Sequence, residues 1–242
     1  MGVRMSVVLF HPYAQNNVIV YQTPLEILGS ACELWVRSDL GVTSGGLGVT
    51  SWADQSGNSR DFLNASDSTD HPIVVAGGAP SGADLIRFDY TNSQYLRTAE
   101  TALAQPYHVF VCAKRRVAGT TAEIFFDSAA TNNVRMLVST ASNVTSIYAG
   151  TGDVGTNTWT VNDWHVVDGL FNGASSRCAL DNTGAETGNA GTDAPTGFTI
   201  GRSVNNTFPA SFDFTEIVVV NRAAIANEIT KLVATMSNYA GI

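Results

Sequence analysis

The carboxylates are the first candidates for chemistry, because most enzymes that cleave glycosidic bonds use a pair of them. The chain has seven Glu residues, and none lies two or four positions from another. The closest approach to a carboxylate pair on one strand is Asp213 and Glu216, in the run Asp-Phe-Thr-Glu. A spacing of three on a β-strand predicts that these two side chains point to opposite faces. The sequence therefore predicts no catalytic residues and a protein that is not an enzyme.

Other catalytic and cofactor motifs are also missing from the sequence. It contains no Gly-x-Ser-x-Gly elbow, no phosphate-binding loop and no His-Glu-x-x-His. The three cysteines lie far apart without a Cys-x-x-Cys pair, which argues against a disulfide framework and a zinc site. No cofactor is predicted. One structural calcium ion stays open, because Asp153, Asp181 and Asp193 follow each other in loops rich in Gly, Asn and Thr.

A set of aromatic and amide residues could bind sugars, whose rings have apolar faces and hydroxyl edges. The segment from Tyr148 to Trp164 combines such residues with a Gly- and Thr-rich connection. The alternative is that Trp159 and Trp164 are ordinary core residues of a sandwich. The candidate glycan-binding residues are Tyr148, Asp153, Asn157, Trp159, Asp181 and Asn182.

The charge of the chain limits its partners. The formal net charge is -8, and only 13 of the 242 residues are Lys or Arg. Because affinity for nucleic acids and anionic membranes rests on basic residues, neither is an expected partner. The apolar run before His11 is too short for a signal peptide, so we expect synthesis in a cytoplasm without export by that route.

Short apolar runs separated by turn residues predict an all-β fold with about eleven strands, followed by one helix. The Gly-rich segment Gly41–Gly48 is interpreted as a flexible loop, and Thr183–Gly191 as a turn. Near the end, Ile225, Ile229 and the residues after them repeat at helical spacing. The predicted strands are Glu33–Arg37, Leu85–Tyr90, Gln94–Arg97, Tyr107–Lys114, Ala122–Asp127, Arg135–Thr140, Ser146–Tyr148, Trp164–Asn172, Arg177–Leu180, Phe198–Gly201 and Phe212–Val220.

The domain organisation follows from the N-terminal composition. Residues 1–30 contain Pro12 and Pro24, which are expected to break any helix there. We therefore interpret residues 1–30 as an extended N-terminal arm with one short strand, used for anchoring or oligomerisation. Residues 31–242 form the predicted sandwich domain, without a convincing boundary inside it.

Several short motifs occur in an order that is typical of one superfamily. They begin with Leu34-Trp35 and with Trp-Ala-Asp-Gln-Ser-Gly-Asn at 52–58. They continue with His71-Pro72, Ile-Arg-Phe-Asp at 86–89, Gln-Tyr-Leu at 94–96 and the strand at 107–113. They end with Thr-Ile-Gly-Arg at 199–202, the strand at 214–222 and a final helix. Over residues 31–242 the chain resembles the concanavalin A-like lectin/glucanase superfamily, and within it the laminin-G-like domains of bacterial surface and bacteriophage structural proteins.

This resemblance implies a two-sheet antiparallel jelly-roll sandwich. Trp52 is then a core residue, Asp54 organises the next turn, and Gly57 takes a positive φ. It also implies a non-catalytic protein on the surface of a virion, as a capsid decoration or tail-associated protein. The expected partners are other virion or surface proteins, contacted through the N-terminal arm, and cell-surface glycans, with a dimeric or trimeric homo-oligomer. The alternative is a polysaccharide-active hydrolase or lyase with an unrecognised active site.

Overall fold

A computed structural model describes residues 22–66, 69–118, 122–130, 134–139 and 141–242. Two antiparallel sheets of eight strands each pack face to face, which confirms the predicted sandwich with its single C-terminal helix. The first sheet contains β1 (Cys32–Arg37), β5 (Ile73–Val75), β6 (Leu85–Arg87), β8 (Tyr107–Arg115), β12 (Trp164–Phe171), β13 (Ser176–Leu180), β14 (Thr183–Gly188) and β16 (Phe212–Val220). The second contains β2 (Val42–Gly45), β3 (Gly48–Trp52), β4 (Phe62–Leu63), β7 (Leu96–Arg97), β9 (Glu123–Ser128), β10 (Arg135–Val138), β11 (Thr145–Tyr148) and β15 (Phe198–Ile200).

The strand order places chain segments far apart in sequence beside each other. The first sheet runs β14-β13-β12-β8-β16-β6-β5, and β1 pairs with another part of β16. The second sheet runs β11-β10-β9-β15-β7-β4-β3-β2. The two longest strands that the structure describes, β8 and β16, lie beside each other in the middle of the first sheet.

Two segments that were predicted to be irregular are strands. The segment predicted as a flexible loop, Gly41–Gly48, belongs to the hairpin of β2 and β3. Gly48 has a φ of +131°, and a Cβ at this position would lie 2.4 Å from the carbonyl oxygen of Pro72. Most of the predicted turn Thr183–Gly191 is β14, an edge strand that is exposed along nearly its whole length. β14 contains one apolar residue, Ala185, so it has no alternating pattern that would reveal a strand.

The core between the sheets is built largely from aromatic rings. The ring of Trp159 packs edge-on against the rings of Phe125 and Phe212, with centroids 5.5 and 5.1 Å apart. Tyr107 stacks on Phe171 at 4.7 Å. All five rings are completely buried. Such contacts contribute about 0.5–1.5 kcal/mol per pair beyond the burial of apolar area.

A second apolar cluster lies on the outer face of the first sheet. Helix α2 (Ala226–Ala240) lays Leu232 and Met236 against this face, while Ile225 at its N-cap is 62% exposed and lies outside the stripe. Helix α1 (Pro24–Leu28) packs beside it. Within the part of the chain that the structure describes, neither helix is long and apolar enough to cross a membrane. The cluster's sheet residues are Cys32, Trp35, Phe110, Cys112, Val166, Val218 and Val220.

The predicted N-terminal arm is corrected at its C-terminal end. Residues 24–31 are not extended: Pro24 begins α1, at a position where proline is tolerated because its missing N–H needs no partner. Thr23 and Glu26 form a reciprocal capping box at this helix. Residues 1–21, with most of the predicted arm and its strand, lie outside the described residues.

The Trp-Ala-Asp-Gln-Ser-Gly-Asn motif is a structural corner, as predicted. Trp52 is fully buried and donates its indole N–H to the carbonyl oxygen of Arg37. The carboxylate of Asp54 accepts hydrogen bonds from the backbone N–H groups of Trp35, Ser56 and Arg60. Gly57 has a φ of +93°. The corner thus joins the start of β1 to the chain after β3.

Candidate functional site

The outer face of the second sheet carries a row of polar side chains across five neighbouring strands. The backbone register aligns Tyr148 with Arg135, Arg135 with Asp127, Asp127 with Thr199, and Thr199 with Arg97. The residues that alternate with them, such as Met136 and Ile147, point into the core. Because strands lie about 4.8 Å apart, the row is roughly 19 Å long. We call Tyr148, Arg135, Asp127, Thr199 and Arg97 the outer row.

A cleft of about 330 Å³ lies where this sheet ends at β11. The chain after β11 returns along that strand, because Val154 and Ile147 exchange both backbone hydrogen bonds at 2.9 Å. Ser146 belongs to the cleft and faces the same side of β11 as Tyr148, two residues away. The cleft residues are Ser139, Ser142, Val144, Ser146, Asp153, Gly155 and Thr156.

Two of the six predicted glycan-binding residues lie at this edge. Asp153 lines the cleft, and its side chain is exposed. Tyr148 is half-buried, and the guanidinium carbon of Arg135 lies 4.3 Å from the centre of its ring. A stacked guanidinium holds an aromatic ring in one orientation. Tyr148 and Asp153 thus offer one oriented ring and one carboxylate on neighbouring parts of the surface.

Trp159 is not available to a sugar. It is fully buried in the core, and its indole N–H is donated to the carbonyl oxygen of Asp163 at 2.9 Å. The alternative interpretation, an ordinary sandwich residue, is the one that agrees with the structure. The sequence suggested an exposed Trp159 because this residue follows a polar, Gly-rich connection. In the structure, Thr158 pairs with Val144, and this pairing places the next residue, Trp159, over the core.

The other three predicted residues are engaged in local structure. Asn157 donates its side-chain amide to the carbonyl oxygen of Gly184 at 2.8 Å. Asp181 and Asn182 have φ values of +52° and +55° and form the tight turn between β13 and β14. The carboxylate of Asp181 accepts hydrogen bonds from His165 and from the backbone of Val166. Asp181 and Asn182 belong to the first sheet, and the structure does not bring them to the cleft.

The prediction that Asp213 and Glu216 face opposite sides is wrong. A β-bulge lies between Phe214 and Glu216, so the partners of Asp213 and Glu216 on β8 are Lys114 and Cys112, two residues apart. An extra residue in one strand shifts the alternation by one, which places both carboxylates on the outer face of the first sheet.

The environments of these two carboxylates differ. Asp213 lies within 4 Å of three cationic side chains, Arg87, Lys114 and Arg116. Glu216 accepts a hydrogen bond from the indole N–H of Trp35 at 2.7 Å, and burial raises its pKa to about 7. Glu216 is 1% exposed and Asp213 is completely buried, so neither carboxylate meets solvent.

The centre of the outer row contains a buried acid that the sequence did not single out. Asp127 accepts hydrogen bonds from the backbone N–H groups of Ser128 and Val204. Burial raises the pKa of Asp127 to about 7, although the charges of Arg135 and Arg97 act in the opposite direction. Only the pairing of β9 with β10 and β15 brings these charges together, so no local sequence pattern could have found them.

Beside the outer row, Tyr95 lies between two arginines. The guanidinium carbon of Arg202 is 3.7 Å from the centre of the Tyr95 ring, and that of Arg97 is 5.6 Å from it. Both arginines are half-buried. Sequence reasoning missed this cluster as well, because Tyr95 and Arg202 are separated by more than 100 residues.

The three Asp residues for which a calcium ion was left open are not brought into one group. Among the residues the structure describes, no three His, Cys, Asp or Glu side chains lie close enough together to hold a metal ion. Asp181 serves the β13–β14 turn, Asp153 lines the cleft, and Asp193 lies against Gly150.

No protein-family model matches the sequence, and no curated protein matches it either. Solved structures do match. The chain is similar to domain 4 of AbnA, a GH43 extracellular arabinanase from Geobacillus stearothermophilus, in complex with arabinotriose. This match has a TM-score of 0.59 and 12% identity, and covers 84% of this chain and 98% of that one. The binding domain of Paraclostridial Mosquitocidal Protein 1 has the same TM-score and identity, with 85% and 53% covered.

The Trypanosoma rangeli sialidase in complex with the inhibitor DANA is also similar, with a TM-score of 0.58 and 12% identity. The match covers 83% of this chain and 32% of the sialidase, so the chain spans about a third of that protein. At 12% identity the likeness shows a shared fold. It does not show that the chain is a laminin-G-like domain.

The prediction that the protein is not an enzyme is wrong as it stands. The structures that share its fold include chains of a sialidase and a domain of an arabinanase. The absence of a paired-carboxylate motif therefore does not separate this chain from proteins that cleave glycans. What the structure establishes is a two-sheet antiparallel β-sandwich, of a kind that also occurs in glycan-cleaving enzymes, with a polar outer row and an edge cleft on one sheet.

Proposed function

We propose that this protein binds glycans on the outer face of its second sheet, with the edge cleft and Tyr148 at the centre of the site. The observation that carries the proposal is that an oriented aromatic ring lies on the same face as a cleft rich in hydroxyl groups. The ring of Tyr148 is held by Arg135 at 4.3 Å, and Ser146 of the cleft lies two residues away on the same strand.

The chemistry of the cleft suits a sugar. Serine and threonine hydroxyls both donate and accept hydrogen bonds, and the Asp153 carboxylate accepts them from sugar hydroxyls. An aromatic ring packs against the apolar face of a pyranose or furanose. The cleft volume of about 330 Å³ lies at the lower end of the range for small-molecule sites.

The structural neighbours support the proposal through their fold. The arabinanase domain was solved with arabinotriose, and several of the sialidase structures contain sialic acid or its analogues. A fold can hold unrelated functions, so the argument depends on the residues of this cleft and uses the neighbours only as analogy. The assignment to the laminin-G-like domains is part of this proposal.

The experiment is a glycan array followed by calorimetry on the best ligand, with wild type, Tyr148→Ala and Asp153→Asn. Loss of a stacking ring is expected to weaken binding about three- to tenfold. Leu47→Ala is the control, because it removes an exposed side chain from the β2–β3 turn at the opposite edge of the same sheet. Absence of binding to every glycan would contradict the proposal, and so would wild-type affinity in both cleft variants.

Cleavage of the bound glycan is the second candidate function, favoured by the enzymes among the structural neighbours. It is tested by incubating each array ligand with the protein and measuring new reducing ends or unsaturated sugars. Activity that disappears in Asp153→Asn would place the reaction in the cleft. Activity that disappears in Glu216→Gln would instead assign chemistry to the carboxyl beneath α2. Product formation that is unaffected by both variants would exclude both positions.

We propose further, from the sequence resemblance, that the protein works as a homo-oligomer on a virion surface and that residues 1–21 hold its copies or other surface proteins together. The test is the mass in solution of the full chain and of residues 22–242. The shorter chain keeps the Thr23 and Glu26 cap of α1, so the sandwich and its helices are retained. A dimer or trimer that dissociates on truncation is expected. A monomer in both forms would refute the proposal.

A further inference from the structure

Nine of the eleven arginines in the sequence fall into two groups, those with and those without an ion pair to a carboxylate. Seven of them lie within 4 Å of a carboxylate: Arg37, Arg60, Arg87, Arg115, Arg116, Arg177 and Arg222. Arg97 and Arg202 have no such ion pair among the described residues, although the protein carries a net charge of -8. Asp127 and Asp70 act on Arg97 and Arg202 only from beyond ion-pair distance, so the positive charge of these two adjacent arginines is only partly compensated.

The protein holds these two side chains in place with neutral groups. Arg97 donates to the hydroxyl of Thr199 at 3.2 Å and to the carbonyl oxygen of Val204 at 3.3 Å. Arg202 donates to the carbonyl oxygen of Ser93 at 2.9 Å and to the side-chain oxygen of Asn206 at 2.8 Å. Carbonyl, hydroxyl and amide oxygens orient a guanidinium without forming an ion pair with it, so the compensation of these two charges comes from the more distant Asp127 and Asp70.

The two guanidinium groups also share one aromatic ring. Tyr95 lies 3.7 Å from the guanidinium carbon of Arg202 and 5.6 Å from that of Arg97. Burial lowers the pKa of Arg202 and the nearby charge of Arg97 adds to this effect, whereas Tyr95 and the Asp70 carboxylate act in the opposite direction. Two like charges in a half-buried position repel each other, and an anion between them relieves the repulsion.

Each arginine keeps donors for such an anion. Nη1 of Arg97 and Nη2 of Arg202 make no hydrogen bond to any part of the chain that the structure describes. Arginine binds carboxylate and sulfate groups with two parallel N–H donors, and these charged hydrogen bonds are roughly twice as strong as neutral ones.

The position of the pair relates it to the proposed glycan site. Arg97 is the last residue of the outer row, which begins at Tyr148 beside the cleft. The row is roughly 19 Å long, so an extended oligosaccharide of several sugars could contact both ends. We propose that the glycan bound by this face is acidic, and that Arg97 and Arg202 beside Tyr95 receive its carboxylate or sulfate group. This inference depends on the proposed glycan binding and adds a charge requirement to it.

The test measures affinity for matched ligands that differ only in the acidic group. The probes are oligogalacturonate and its carboxyl-reduced form, sialyllactose and lactose, and a sulfated oligosaccharide with its desulfated form. We expect the acidic member of at least one pair to bind about tenfold tighter or more at low salt, with the preference shrinking as salt is added. The pair that shows the preference identifies carboxylate or sulfate as the recognised group.

The variants are Arg97→Gln, Arg202→Gln and Arg202→Lys. Both Gln variants should abolish the preference for the acidic ligand, which is measured as the ratio of the affinities for the acidic and the neutral member of each pair. Arg202→Lys keeps the charge but loses the planar fork, so part of the preference should remain. Arg222→Gln is the matched control, since it removes the same charge at the start of α2 on the other sheet. Thermal melting of each variant shows whether it has folded.

The possible failures can be told apart. If neutral glycans bind and depend on Tyr148 while no acidic member is preferred, the charge requirement is wrong and glycan binding stands. If acidic ligands are preferred equally by wild type and by the folded Arg97 and Arg202 variants, another cationic site is responsible and this inference is wrong. If no glycan of either kind binds, the proposed function fails together with the inference.

Discussion

The outer faces of the two sheets are made differently, although the inner faces share one core. The first sheet shows Phe110, Cys112, Val166 and Val218 on its outer face, and α2 covers them with Leu232 and its neighbours. The second sheet shows the outer row instead, in which one aromatic, two cationic, one anionic and one hydroxyl side chain lie side by side across five strands. An antiparallel sheet can have one solvated face, but an apolar outer face must be covered.

The comparison explains why the functional site is expected on one sheet only. An apolar outer face with a packed helix contributes to the free energy of folding. On the polar outer face, Tyr148, Arg135 and Arg97 are half-buried and available for a ligand, whereas Asp127 and Thr199 between them are completely buried. Each face nevertheless contains one buried carboxyl whose pKa is raised to about 7: Glu216 under the helix and Asp127 in the outer row. The two faces should therefore respond differently to mutation and to pH.

The largest expected effect is a loss of stability when the contact between α2 and the outer face of the first sheet is weakened. Leu232→Ala removes a fully buried side chain of α2 and is expected to cost about 2–5 kcal/mol in the free energy of unfolding. Urea denaturation measures this cost. Lys231→Ala, one residue earlier on the exposed side of the same helix, is the control and should change stability by less than about 0.5 kcal/mol. Equal effects of the two variants would mean that α2 does not hold the outer face.

The next effect concerns the pH dependence of stability. Burial raises the pKa of Glu216 from 4.5 to about 7, so the folded protein binds a proton that the unfolded chain has lost between these pH values. Stability from this group is therefore present below pH 4.5 and is lost as the pH rises to about 7.

Glu216→Gln is expected to remove the loss of stability that occurs as the pH rises from 4.5 to about 7. Gln keeps a side-chain oxygen that can accept the indole N–H of Trp35. At pH 8 the variant should be more stable than the wild type by roughly 1–3 kcal/mol, and at pH 5 the two should differ little. Denaturation curves at both pH values test this. A variant that is less stable at pH 8 would contradict the raised pKa.

The smallest expected effect is a change with pH in the affinity for glycans on the outer face of the second sheet. Asp127 lies between Arg135 on β10 and Arg97 on β7, and its carboxylate accepts backbone N–H groups of Ser128 and Val204. Its pKa of about 7 means that it becomes neutral as the pH falls from 8 to 6, which leaves both arginines less compensated.

Affinity for an acidic glycan should therefore rise a few-fold over this range, whereas affinity for its neutral counterpart should stay constant. Calorimetry with an acidic and neutral pair at pH 6, 7 and 8 measures the change. If the preference for the acidic glycan is independent of pH or grows with pH, the protonation of Asp127 does not control it.

Local patterns in the sequence were sufficient for the elements that bury many apolar residues. Residues 107–113 of β8 and 217–220 of β16 are apolar at nearly every position, as expected for strands covered on both faces. The apolar residues of α2 around Leu232 repeat at helical spacing, because only one side of the helix is buried. The motif around Trp52 and Asp54 was readable as a corner for a similar reason, since its turn needs particular residues.

The same patterns could not find β2, β14 or the bulge that turns Glu216 to the side of Asp213. β2 and β14 have hardly any buried side chains, and their hydrogen bonds come from backbone groups that every residue has. A bulge depends on how two strands fit together, which is decided by residues distant in sequence.

The sequence by itself determined the fold class, the core strands and the covering helix, since each of these requires apolar residues at a regular spacing. It also indicated Tyr148 and Asp153, because their residue types suit sugars wherever they lie. Only the tertiary structure decided that Trp159 is buried and that Asp181 and Asn182 serve a turn on the other sheet. It alone assembled the outer row and placed Arg202 beside Arg97 at Tyr95, because strand pairing joins residues that are about a hundred positions apart.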